Sequence, residues 1–140
     1  MIYDLMKKNS LYFVHIPFIA YFIILSVLLL MPSQKLPDVF EVSDKIKHYF
    51  AFLAFTFLFS LSCHFNKRRT IKVRNIFIIV GVLAVLYGGL TELIQSYVPG
   101  RSGDLYDLSL DALGSFTGIY LFNVFLKFSR LKLNKVGTKR

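Results

Sequence analysis

Four stretches of this chain lack the charged residues that a water-facing helix needs. Residues 11–31, LYFVHIPFIAYFIILSVLLLM, hold no Asp, Glu, Lys or Arg in 21 positions. Residues 49–65 and 75–91 hold none in 17 positions each, and 108–126 hold only Asp111 in 19. A helix needs about 20 mostly apolar residues, within a range of about 17–25, to cross the hydrocarbon core of a bilayer. Helices of a soluble bundle would carry polar stripes throughout, and these runs largely lack them. The pattern predicts an all-α, polytopic membrane protein, a four-transmembrane-helix bundle formed as one domain over residues 1–140. The spans are expected at about 11–31, 46–65, 75–97 and 107–127, with a basic tail over 128–140. The first run is longer than the ~7–15 residue core of a signal peptide and MPSQKLPD offers no small-x-small cleavage site, so it is expected to stay attached as a span.

The net charge of +9 would suggest nucleic acid in a soluble chain, but its placement argues against that partner. Thirteen of the 17 basic residues lie before span one, between spans two and three, or after span four. The intervening segments hold only Lys35, Lys45, Lys47 and Arg101. By the positive-inside rule both termini and the middle loop are cytoplasmic. The basic face suits anionic lipid headgroups, and no groove-reading or base-stacking module is present. Cys63 is the sole cysteine, so neither an intrachain disulfide nor a cysteine metal cluster is available.

The acids are distributed differently. ELIQSYVPGRSGDLYDLSLDALGSFTG, residues 92–118, carries Glu92, Asp104, Asp107 and Asp111 with Gln95 and Arg101. VPGRSGD reads as a turn, because Pro99, Gly100 and Gly103 break the helix. At 100° per residue, Asp104, Asp107, Asp111, Gly114 and Gly118 share a stripe about 80° wide on span four. Gly81, Gly88, Glu92 and Gln95 share one about 60° wide on span three, and Asp44, His48, Ala51 and Ser62 one about as narrow on span two. Small residues let helices approach closely, and charged side chains turn away from lipid. The stripes therefore predict a polar pocket at the outer face, built from His48, Glu92, Gln95, Arg101, Asp104, Asp107 and Asp111. Asp44 and Lys45 stand at its rim or cap the second helix, and Gly88, Gly114 and Gly118 serve packing. Glu92 is expected about 7 Å inside its helix end, with Arg101 reaching back as partner for Glu92 or Asp111.

DKIKH at 44–48 together with the 92–118 segment resembles the VanZ-like family of small bacterial membrane proteins. The family pattern D-K-x-x-H, E-x-x-Q, P-G-R, D-x-x-D and two closing glycines falls on Asp44, Lys45, His48, Glu92, Gln95, Pro99, Gly100, Arg101, Asp104, Asp107, Gly114 and Gly118. The similarity runs from about residue 11 to 126. Asp111 departs from it, standing where relatives often have Asn. The resemblance implies a multi-pass protein of the bacterial cytoplasmic membrane and a link to low-level resistance to teicoplanin, a lipid-tailed glycopeptide. It carries over pattern positions, not catalytic roles.

The leading expectation is an outward polar pocket that engages a lipid-linked cell-envelope component or a lipoglycopeptide antibiotic, with Arg101 on an anionic headgroup. A second is a membrane-embedded enzyme acting on such a lipid. There His48 or Glu92 would be the base, and Asp104, Asp107 and Asp111 would bind a cation. A third is a structural or partner-binding bundle. No organic cofactor is expected, a divalent cation is the one candidate, and the sequence assigns no oligomeric state. A reporter fused after Arg140 should score cytoplasmic and one inserted in the 99–104 turn external; the reverse pattern overturns the outward placement of the acids.

Overall fold

The computed structural model describes residues 2–32, 44–66, 71–101 and 103–137, with the side chains of Asp44 and of residues 130–137 outside the description. Lys35, Lys67, Arg68, Arg69, Lys139 and Arg140, on which much of the charge asymmetry rests, lie outside the described residues. So does any cap made by the Asp44 side chain.

Every regular element among the described residues is helical: α1 Ile2–Lys8, a π-helical turn Leu11–His15, α2 Ile16–Leu30, α3 Asp44–His64, α4 Val73–Gln95 and α5 Leu105–Gly137. Four segments are long and apolar enough to cross a membrane: Leu11–Leu30, Lys45–His64, Val73–Gln95 and Leu105–Ser129. Their boundaries fall within two residues of those expected. The π turn has a local cause. Pro17 has no N–H to give the Phe13 carbonyl, and just before it the ladder widens so that the Ile16 N–H reaches back to the Leu11 carbonyl. The basic segment after Lys127 continues α5 as far as Gly137, since neither Gly nor Pro interrupts residues 119–136.

The surface is inverted relative to a soluble bundle. Ile19, Ile23, Ile24 and Val27 of α2 are exposed, as are Ile78, Val82, Leu86 and Leu90 of α4. So large a continuous apolar exterior has its natural solvent in lipid hydrocarbon. Two apolar clusters fill the interior. Val14, Leu61, Ile76, Val80, Phe122 and Leu126 form one toward the end that holds α1. Leu25, Leu29, Phe52, Phe55 and Ala84 form the other, where the rings of Phe18, Phe22, Phe55 and Tyr87 also meet.

The most extensive helix contact is between α3 and α5, which start at the same end and run parallel. Two glycines set its closeness. A Cβ on Gly114 would collide with the Tyr49 carbonyl, and one on Gly118 with the Leu53 carbonyl and the Thr56 hydroxyl. Hydroxyls then bridge the seam: Thr56 Oγ1 lies 3.1 Å from the Ser115 carbonyl, and the Tyr49 hydroxyl donates to Thr117 Oγ1 at 3.1 Å. Gly114 and Gly118 thus lie against the α3 backbone.

Gly118→Ala and Gly114→Ala should each lower stability in detergent unfolding by about 1–3 kcal/mol or more, the usual cost of overpacking. A Cβ on Gly89 would meet no atom within 4 Å, so Gly89→Ala should leave stability unchanged or raise it by up to about 1 kcal/mol through helix propensity. Equal behaviour of Gly89→Ala and Gly118→Ala would overturn the close-seam account.

Candidate functional site

The end of the bundle where α2 and α4 finish and α3 and α5 begin holds the polar cluster. His48, Glu92 and Asp111 are 4%, 7% and 1% exposed, which makes them the only buried ionisable side chains other than hydroxyls among the described residues. His48 Nδ1 lies 3.0 Å from Asp111 Oδ1 and 3.8 Å from Glu92 Oε1. One ligand atom from each of the three residues falls within 4.8 Å of the others. The register of the α3–α5 seam produces this meeting, because the contact that sets Gly114 against Tyr49 sets Asp111 against His48 one turn away.

Glu92 joins the third helix to the pair. α4 ends at Gln95, two residues earlier than expected, so Glu92 sits in its last turn rather than ~7 Å inside. A carboxylate there is disfavoured by the α4 dipole. Compensation comes from the Asp104 N–H, which donates to Glu92 Oε2 at 2.9 Å. Asp104 in turn caps α5: its Oδ1 accepts the Tyr106 N–H at 2.8 Å and its carbonyl takes the Leu108 N–H. The connecting turn is tight. Gly100 adopts φ 76°, and a Cβ on Gly103 would stand 2.7 Å from the Glu92 carbonyl. Gly88 makes room on the same helix, since a Cβ there would lie 3.2 Å from Asp111 Oδ2.

The other expected members take distinct places. Gln95 is buried and donates to the Leu29 carbonyl at 2.8 Å, tying the end of α4 to the end of α2. Lys45 stays at the rim, its ammonium 4.9 Å from the centre of the Tyr106 ring. Asp107 lies in the first turn of α5 and is partly buried, and its Oδ1 has no hydrogen-bond partner. Glu92 Oε1, Asp111 Oδ2 and Arg101 Nε are likewise buried and unpartnered.

Three of the expected residues meet partners other than those foreseen. Arg101 does not pair with Glu92 or Asp111 among the described residues; the nitrogen facing both is His48 Nδ1, while Arg101 Nη2 reaches the Leu28 carbonyl at a long 3.4 Å. Asp104, expected among the acids of the pocket, caps α5, and the three residues whose ligand atoms lie within 4.8 Å of one another are His48, Glu92 and Asp111. Ser62 shares an angular stripe with His48 but pairs with His15 Nδ1 at 2.8 Å, about 21 Å further along α3. The His15–Ser62 pair and the Tyr3–His64 contact escape sequence reasoning, because a lone histidine in an apolar run carries no pattern. The side chains of His48, Glu92 and Asp111 are themselves buried. A groove of about 420 Å³ runs along the α4–α5 seam and is apolar, lined by Ile78, Val82, Leu86, Ala112 and Phe116 among others.

Comparison with known proteins agrees with the motif. The sequence model of the VanZ/LLP1 family matches residues 9–126, and the chain belongs to that family. It is also similar to an uncharacterized protein of Schizosaccharomyces pombe, 28% identical over 124 residues that cover 88% of this chain and 68% of the relative. No solved structure matches it.

Replacing Gln95 by Leu should leave the Leu29 carbonyl without its side-chain donor and lower stability by about 1–3 kcal/mol in thermal or detergent unfolding. An unchanged unfolding midpoint would mean that this tie does not hold α2 in place.

Proposed function

We propose that this VanZ-family membrane protein binds the anionic head of a lipid-linked cell-envelope component, or of a lipid-tailed glycopeptide such as teicoplanin, at the His48–Glu92–Asp111 end of the bundle. In this reading the protein resides in a bacterial cytoplasmic membrane with that end outward. The observation that carries it is the confinement of the buried ionisable side chains to one bundle end, where a lipid head meets the bilayer surface. Carboxylates alone would repel an anionic head, so the rim cations matter. Lys45 is exposed, and among the described residues the Arg101 side chain makes one long contact, to the Leu28 carbonyl, with its Nε unpartnered. A guanidinium with donors to spare suits a phosphate or carboxylate. The apolar groove in the α4–α5 seam begins at Ala112, next to Asp111, and offers a place for an acyl or polyprenyl chain. The yeast relative favours the lipid over the glycopeptide, because phosphate-headed lipids occur in bacterial and fungal membranes alike.

An enzymatic reading has one observation in its favour: an imidazole nitrogen facing two carboxylates is the arrangement of an oriented general base. In that case the bound lipid is a substrate rather than a ligand.

Arg101→Ala and Glu92→Gln, made separately, test the binding reading. Folded membrane protein, phosphate-headed lipid retained through purification, and teicoplanin sensitivity are measured together. Arg101→Ala is expected to accumulate normally and to retain about tenfold less lipid, as expected for the loss of one charge-assisted contact. Unchanged retention in both variants overturns it. Loss of folded protein together with any phenotype would instead make the cluster a device that holds helix ends together.

A further inference from the structure

The geometry points to a divalent-cation site formed by His48 Nδ1, a Glu92 carboxylate oxygen and an Asp111 carboxylate oxygen. The three donors come from α3, α4 and α5 and lie within 4.8 Å of one another. Donors around an ion held at about 2.0–2.2 Å stand roughly 3–3.5 Å apart; the 3.0 and 3.8 Å separations from His48 Nδ1 need only small side-chain adjustments, and the Glu92–Asp111 edge, within 4.8 Å, closes by turning either carboxylate.

The cluster is more than a collection of acids. Glu92 Oε1 faces His48 Nδ1 and Asp111 Oδ2 belongs to the carboxylate already touching it, yet both oxygens are buried without a hydrogen-bond partner. The residues that carry them are more than nine-tenths buried. A single Nδ1 proton serves one acceptor well, here Asp111 Oδ1, and leaves the others unmet. Protonated His48 against Glu92 and Asp111 still leaves net negative charge in an apolar bundle, with partly buried Asp107 nearby adding to it. One divalent ion with neutral His48 and two carboxylates sums to zero. It occupies the place of the Nδ1 proton, gives Glu92 Oε1 a partner and takes Asp111 Oδ2 once that carboxylate turns or chelates.

The donor types narrow the ion. Imidazole suits first-row transition metals and zinc, and carboxylates suit harder ions, so a mixed set favours Mn²⁺ or Zn²⁺ over Mg²⁺ or Ca²⁺. Gly88 belongs to the same design, because it leaves the Asp111 carboxylate the space to turn toward the ion. Bound there, the ion would hold three helices at one point. It stands whether or not a lipid head completes its coordination.

The test uses the full chain purified in detergent, stripped with a chelator and titrated with Mn²⁺ and Zn²⁺ in the absence of envelope lipid. Saturable binding of one ion per chain, a rise in Tm and nitrogen modulation in the pulsed EPR spectrum of the Mn²⁺ form are expected. Asp111→Asn and Glu92→Gln should each weaken binding by about tenfold or more, while Gly89→Ala binds like the parent. No saturable binding by the folded chain overturns the site, as does binding undiminished in both variants. Should the variants fail to fold, bound Mn²⁺ without nitrogen modulation in the parent chain overturns it alone.

Discussion

The approach of α5 to α3 through Gly114 and Gly118 is the contact on which the rest of this bundle depends. With no side chain at either position, the α5 backbone lies directly on the Tyr49 and Leu53 carbonyls. Within lipid there is little hydrophobic force to drive helices together, so such close packing and the hydroxyl bonds across it carry much of the association. The glycines also set register. Once Gly114 meets Tyr49 and Gly118 meets Leu53, Asp111 must meet His48. A helix–helix packing motif and a buried histidine–carboxylate contact are therefore one feature, and a shift along the seam would break both.

α4 is then bound by polar groups at its end as much as by apolar packing. Its last turn sends Glu92 to the start of α5 and Gln95 to the end of α2. These bonds divide the polar residues into two kinds. Asp104 and Gln95 hold helix termini, satisfying groups that would otherwise be stranded at the edge of the bilayer. His48, Glu92 and Asp111 face one another with acceptor capacity to spare, and Asp107 Oδ1 in the first turn of α5 is unpartnered as well. Excess buried acceptors are costly in an apolar medium, and their concentration at one end marks where a ligand would be worth most.

The four spans were legible because bilayer thickness imposes a length on any crossing helix and burial in lipid forbids charges within it. Glu92, Asp111, Gly88 and Gly114 were legible as a converging set because helical rotation assigns each to a face. Partner choice was not. Arg101 has the charge of a counter-ion for the acids, yet it leans to the Leu28 carbonyl while a histidine takes that place. Angle alone puts Ser62 with His48, although depth along α3 separates them and His15 claims it. Asp104 reads from sequence as a pocket acid and candidate cation ligand, yet its Oδ1 accepts the Tyr106 N–H and caps α5.

What the sequence by itself determined is the class of molecule and the inventory of its site: membrane-spanning helices, their faces, and the family to which they belong. These follow from local rules, the solvation of charge and the rotation of a helix per residue, which act on each segment alone. Only the tertiary structure decided which side chains touch, because pairing depends on how far one helix slides past another. That sliding is set by the glycine seam between residues more than 60 positions apart. It turned a row of scattered acids into one histidine held between two carboxylates.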